Sequence, residues 1–175
     1  MGYNFDKEIE RRNTECIKWD YLDEFYGKDD ILPLWVADTD FEAPKEIKEA
    51  IIERAKHGVF GYTGKADSLY KSIKNWMGKR HGWEIEKDWL SFTTGVKTAF
   101  NLAIIAFTNP GDEVIVQPPV YGPFYSAVLN NGCQLVRNPL IYEDGKYKMD
   151  FEDLESKITP RTRLFILCNP HNPVG

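Results

Sequence analysis

The sequence predicts an α/β fold built on a mostly parallel sheet. Short apolar segments near 113–117, 133–138 and 164–168 have strand length, and helix-length stretches over 121–131 and 150–157 separate them. Strands that alternate with helices join in parallel through right-handed crossovers. The joints carry strong turn formers, among them Asn109-Pro110-Gly111-Asp112 and Gly132. A bulky, β-branched run over 89–93 also meets Gly95 and passes into a stretch with Val96, Ala99, Phe100, Ala103, Ile104 and Phe107 at helical spacing.

The bulk properties narrow the function. A chain of 175 residues with 42% hydrophobic and 28% charged residues is globular in composition and can bury a substantial core. Its net charge of −5 offers no basic face to a nucleic-acid backbone. No apolar run is long enough to span a membrane, so neither nucleic acid nor membrane is expected as a partner. Cys16, Cys133 and Cys168 are odd in number and far apart, which reads as reduced cytoplasmic thiols. His57, His81 and His171 form no metal motif, so no metal site is predicted.

In chain order, residues 6–14 read as a charged helix with Arg11 and Arg12 solvated on its face. Residues 31–37 are apolar and extended, with Pro33 arguing against a central strand. Asp38 and Asp40 read as a solvated turn or a helix cap. Pro44 opens a helix whose face carries Ile47, Ala50, Ile51 and Ala55, and Gly58 follows its end. The aromatic loop Val59-Phe60-Gly61-Tyr62-Thr63-Gly64 suits the presentation of a rigid phenol to a ligand, or simple packing. A second helix over 67–80 places Leu69, Ile73, Trp76 and Met77 in a core stripe and stops at His81-Gly82. Glu143-Asp144-Gly145-Lys146 is a tight turn, and Asp150 caps the helix that follows it.

The junction at Gly95 is the chemically suggestive point. The first amides of a helix have no internal partner and sit at the positive end of its dipole, which suits a phosphate. The bland reading is an ordinary turn whose amides are capped by Thr94 or water. Near the other end of the sequence, Asn169-Pro170-His171-Asn172-Pro173-Val174-Gly175 forms the loop leaving a strand, where open α/β sheets hold ligands. A chain ending there is expected to be the front part of a longer protein, unstable and inactive by itself.

Several short motifs, taken in order, resemble one family. They are Arg11-Arg12-Asn13-Thr14 with Lys18-Trp19-Asp20, the run from Leu34-Trp35-Val36-Ala37 through Asp38-Thr39-Asp40-Phe41, Phe60-Gly61-Tyr62-Thr63, Pro110-Gly111-Asp112, Pro119-Val120-Tyr121 and the run from Asn169 to Gly175. Together they resemble fold-type I pyridoxal-phosphate enzymes of the class I/II aminotransferase superfamily. Within it they are most similar to the MalY/PatB-like cystathionine β-lyase branch.

The resemblance implies a three-layer sandwich with a mostly parallel sheet. Residues 1–43 would form an N-terminal arm and part of a small domain, and 44–175 the first part of the cofactor-binding large domain. It implies pyridoxal 5'-phosphate held at the phosphate by the amides of Gly95, Val96 and Lys97, stacked on Tyr121 and hydrogen-bonded at its phenolic oxygen by Asn172. Tyr62 would reach the phosphate of a neighbouring subunit, so the implied assembly is a homodimer with shared sites. The backbone of Val36 and Ala37 would lie near the substrate carboxylate. The implied activity is a carbon–sulfur β-lyase on cystathionine or cysteine-like amino acids, giving thiol, pyruvate and ammonia. An aminotransferase on the same scaffold and a regulatory protein retaining the fold are the alternatives. Pro118-Pro119 and Asn172-Pro173 are expected to be cis.

Thr39 stands where this branch usually shows methionine, and Lys97-Thr98 where it usually shows an apolar residue and proline. These departures bear on substrate preference, not on the cofactor. The family's Schiff-base lysine is expected beyond Gly175, so no residue in this chain is assigned as catalytic.

Overall fold

The structure, a computed structural model, describes residues 3–175. The chain divides into two compact units, one up to Lys65 and one from Ala66 to Gly175. Each is described by itself.

The first unit contains helices α1 (Ile17–Asp20), α2 (Leu22–Tyr26) and α3 (Lys45–His57). The predicted helix over 6–14 is absent: these residues form turns and irregular backbone, with Asn13 and Glu15 at positive φ. The side chain of Asp20 accepts the backbone N–H groups of Asn13, Thr14 and Cys16 at 2.8–3.0 Å and so competes with helical hydrogen bonding. Arg11 is not solvated either. Its guanidinium donates to the carboxylates of both Asp38 and Asp40. Arg12 lies over the Trp19 ring.

Helix α3 starts directly after Pro44 and ends at Gly58, whose φ of 71° satisfies the left-handed cap that glycine adopts at least cost. Its predicted apolar face is exposed, with Ile47 and Ile51 more than half accessible. An amphipathic stripe is buried by a partner element, and none among the described residues covers this one.

The second unit holds the sheet. Helix α4 (Asp67–His81) comes first, followed by a 3₁₀ turn over Lys87–Trp89. The expected buried stripe of α4 is open: Leu69 and Trp76 are exposed, while Ile73 and Met77 are half-buried. Arg80 instead stacks on the Trp76 ring. The strand expected over 89–93 does not form. Trp89 and Leu90 are held in i+3 backbone bonds to Glu86 and Lys87, and Phe92 packs edge-on against Tyr70 of α4. Among the described residues no strand pairs with this segment.

From there the predicted rhythm holds. Helix α5 (Val96–Phe107), strand β1 (Glu113–Val116), helix α6 (Pro123–Asn130), strand β2 (Gln134–Arg137), helix α7 (Phe151–Ser156) and strand β5 (Thr162–Ile166) follow in order. A two-stranded antiparallel hairpin, β3 (Ile141–Glu143) and β4 (Lys146–Lys148), is inserted before α7. Asp144 and Gly145, both at positive φ, form its turn. The main sheet has the order β2-β1-β5, and both pairings are parallel.

Strand β1 is central and wholly buried, as its unbroken Glu-Val-Ile-Val run between two neighbours requires. Val114 and Val116 face one side, where Ile104 of α5 and Phe124, Ala127 and Val128 of α6 complete the core. On the other side of β1 lie Glu113 and Gln117. Gln117 Nε2 donates to Asn138 Oδ1 at 2.8 Å, and Asn138 Nδ2 donates to Asp150 O and to Asp153 Oδ2 at the start of α7. The predicted cap is present: Asp150 accepts the Asp153 amide at 2.9 Å.

Candidate active site

Helix α5 runs antiparallel to β1, and contacts at its two ends fix this direction. Thr108, just after its C-terminus, lies 3.1 Å from the Cys133 sulfur at the entry to β2. Near its N-terminus, Phe100 packs edge-on against Phe124 of α6, with ring centroids 4.8 Å apart. Phe124 in turn meets the Tyr121 ring at 5.9 Å and 89°. The N-terminus of α5 and the ring of Tyr121 therefore stand on the same side, at the carboxyl ends of the parallel strands. This is the edge where open α/β sheets bind ligands.

Gly95 precedes the first residue of α5 in extended backbone, and no side chain caps the helix start. The hydroxyl of Thr94 lies 3.3 Å from that of Thr98, and Thr93 donates to the Gly95 carbonyl. Thr94 is thus not the cap considered in the bland reading of this turn. A Cβ at Gly95 would meet nothing within 4 Å, so the space beside this residue is open. Val96 and Lys97 are both exposed.

Tyr121 follows Pro118-Pro119-Val120 and is 42% exposed, with its ring perpendicular to that of Phe124. Asn172 lies in the loop after β5, exposed, with its backbone amide donating to the Cys168 sulfur at 3.4 Å. Pro118-Pro119 and Asn172-Pro173 are cis, as expected, and Asn169-Pro170 is cis as well. The two loops meet: His171 Nε2 lies 2.9 Å from the carbonyl oxygen of Pro119. Sequence reasoning singled out Asn172 and Tyr121 but not this link. A contact between residues so far apart in sequence leaves no local signal.

In the N-terminal unit, Tyr62 is fully exposed in an irregular loop, Val36 is half-buried and Ala37 is exposed. The same unit holds a polar cluster that the sequence did not reveal. Asp40 accepts hydrogen bonds from Lys18 Nζ, Trp19 Nε1 and Arg11 Nη1, and Lys18 also donates to the Asp38 carbonyl. These bonds, the one from Lys18 foremost, hold the Asp40 carboxyl well below the usual carboxylate range. Hydrogen bonds to Asp38 and then Asp40 push the Arg11 guanidinium above its ordinary value. An open hollow of about 590 Å³ lined by Phe5, Ile9, Arg12, Trp19 and Phe41 contains none of the predicted site residues.

Residues 29–175 match the family model for aminotransferase class I and II. The chain belongs to this family. Cystathionine beta-lyase PatB of Bacillus subtilis (strain 168) is 52% identical over 173 residues, 98% of this chain and 45% of that protein. Protein MalY of Escherichia coli (strain K12) is 30% identical over 175 residues, 99% of this chain and 45% of that protein. Cystalysin from Treponema denticola, whose crystal structure contains a pyridoxal 5'-phosphate cofactor, superposes with a TM-score of 0.92 at 38% identity. That match covers 100% of this chain and 45% of cystalysin. The chain thus spans about 45% of the length of these relatives, and its architecture is that of the N-terminal portion of a fold-type I enzyme.

Proposed function

We propose that the complete protein is a pyridoxal-phosphate-dependent carbon–sulfur β-lyase acting on cystathionine or cysteine-like amino acids. The observation that carries this reading is the 52% identity to a cystathionine beta-lyase over 98% of the chain. The residues at the sheet edge fit the cofactor. An uncapped helix start with open space at Gly95 suits a phosphate, and a supported aromatic face at Tyr121 suits a flat ring.

In this reading the amides of Gly95, Val96 and Lys97 hold the phosphate by charge-assisted hydrogen bonds. Tyr121 fixes the plane of the ring, and the Asn172 side-chain amide donates to its phenolic oxygen. Tyr62 contacts the phosphate bound by a second subunit in a homodimer, and the backbone of Val36 and Ala37 orients the substrate carboxylate. Residues 1–43 act as arm and part of a small domain, and 44–175 open the cofactor-binding domain of a cytoplasmic enzyme. When bound, the cofactor supplies the electron sink that permits loss of the α-proton and expulsion of thiolate from the β-carbon. This chain binds and orients; proton transfer is assigned to residues outside it.

The test uses the full-length protein loaded with pyridoxal phosphate. Release of pyruvate, ammonia and thiol from cystathionine or cysteine without added keto acid is the expected result. Amino-group transfer to a keto acid with no thiol release would make it an aminotransferase instead. Absence of both activities would favour a regulatory protein on the same fold.

A further inference from the structure

We infer that His171 is a positioning residue that locks the two cofactor-facing loops into one unit. Strands β1 and β5 are parallel neighbours in register, Val116 opposite Ile166, so their following loops leave the sheet side by side. One loop carries Tyr121 and the other Asn172. His171 Nε2 lies 2.9 Å from Pro119 O, two residues before Tyr121 and one before Asn172 in their respective loops. A carbonyl oxygen only accepts, so the Nε2 proton is on this bond.

Two further bonds brace the same loop from within. The Asn172 amide donates to the Cys168 sulfur at 3.4 Å, and the Gly175 amide donates to the His171 carbonyl at 2.6 Å. Cys168 anchors the loop to the end of its own strand. His171 does what that sulfur does not: it crosses to the neighbouring strand's loop. The spacing between a stacking ring on one loop and an amide donor on the other is thereby set by a single hydrogen bond. Shared sites lose function when such spacing drifts by about an ångström.

This inference rests on the proposed cofactor roles of Tyr121 and Asn172. The test compares full-length wild type, His171→Phe and His171→Gln as apoproteins. Pyridoxal phosphate affinity is measured by titration, and the bound cofactor's absorbance is followed against pH. Phenylalanine keeps the ring and removes the donor, whereas the glutamine amide restores a donor near the Nε2 position. The expected result is roughly tenfold weaker binding in His171→Phe, the order of one lost hydrogen bond, with a shifted absorbance midpoint. His171→Gln is expected to stay within about threefold of wild type with the wild-type midpoint. Wild-type affinity and midpoint in His171→Phe would overturn the inference, as would a glutamine variant as impaired as the phenylalanine one. Thermal melts of the three proteins separate loss of the link from loss of the fold. Failure of the wild-type protein to bind pyridoxal phosphate would overturn the proposed function, and this inference with it.

Discussion

The ammonium of Lys18, almost wholly buried, lies 2.6 Å from Asp40 Oδ2. The pair sits under Trp19 and Arg11, which donate to the other oxygen of the same carboxylate. Removing Asp40 leaves a buried cation with one backbone acceptor, whereas removing Lys18 leaves a carboxylate that still holds two donors. A charge left without its partner costs most where it is most buried, and the Lys18 side chain is 7% exposed against 41% for Asp40. Asp40→Ala is therefore expected to lower the melting temperature of the full-length protein more than Lys18→Met. Equal or reversed losses in thermal melts would show that Lys18 is not the group at risk.

The same cluster gives a direction in pH. The Asp40 carboxyl is held below its unfolded value, so it binds its proton more readily when unfolded. Its stabilising contribution is complete above an unfolded carboxylate value of about 3.9 and is lost as pH falls below that toward the depressed folded value. Asp153 is lowered in the same way, chiefly by Lys157 and then Asn138. Denaturant titrations of wild type should show stability falling as pH drops below about 4, and Asp40→Asn should flatten part of that slope. An unchanged slope in the variant would remove Asp40 from the account.

Val96 is the first residue of α5, where proline is tolerated because its missing N–H has no helical partner. Val96→Pro should leave the melting temperature within a few degrees of wild type, a change under about 1 kcal/mol, while removing one amide from the proposed phosphate site. Weaker retention of pyridoxal phosphate in dialysis of the full-length protein is the expected outcome. Unaltered retention would count against that amide.

Tyr121→Phe keeps the ring and its edge contact to Phe124, while Tyr121→Ala deletes both. Aromatic stacking is worth about 0.5–1.5 kcal/mol, so the alanine variant should bind pyridoxal phosphate about 2- to 12-fold more weakly. The phenylalanine variant should stay close to wild type. If alanine unfolds the protein, Tyr121 is a core residue and not a face for a ring.

Asn138 is fully buried and bonds Gln117 Nε2, Asp150 O and Asp153 Oδ2 at once. Asn138→Ala strands the Gln117 amide, while Asp150 O keeps the Leu154 N–H and Asp153 keeps Lys157, and should cost roughly 1–3 kcal/mol in chemical denaturation. A loss below about 0.5 kcal/mol would imply that solvent replaces the amide.

The contrast between what could be read in advance and what could not follows from sequence distance. Strand β1, helices α5 and α6 and the cap at Asp150 rest on local rules: apolar periodicity, turn formers, a carboxylate three residues before an amide. The helix expected over 6–14 was lost to Asp20, a side-chain acceptor that lies just past the segment and that apolar periodicity does not register. The strand expected over 89–93 had suitable residues and, among the described residues, no neighbour to pair with. The Asp144-Gly145 turn was legible, but flanking residues such as Lys146 and Lys148 hid the exposed strands on either side of it. At the candidate site, motif residues were visible individually. Their supports, Phe100 behind Phe124 and His171 on Pro119, join points well separated in sequence.

The buried Glu113 at the start of β1 takes hydroxyl bonds from Thr159 and Thr162, residues 46 and 49 positions later. On the ribosome, β1 is therefore complete long before its second neighbour exists. Strand β2 follows soon after and can cover one flank, but the other flank of the most apolar strand stays bare until β5 emerges. Non-local pairings of this kind close slowly, and an open apolar strand edge is a template for the wrong partner. The threonine hydroxyls that greet Glu113 on arrival act at the first rung of the β1–β5 ladder, where a slipped alignment would leave the carboxylate buried with nothing to hold it.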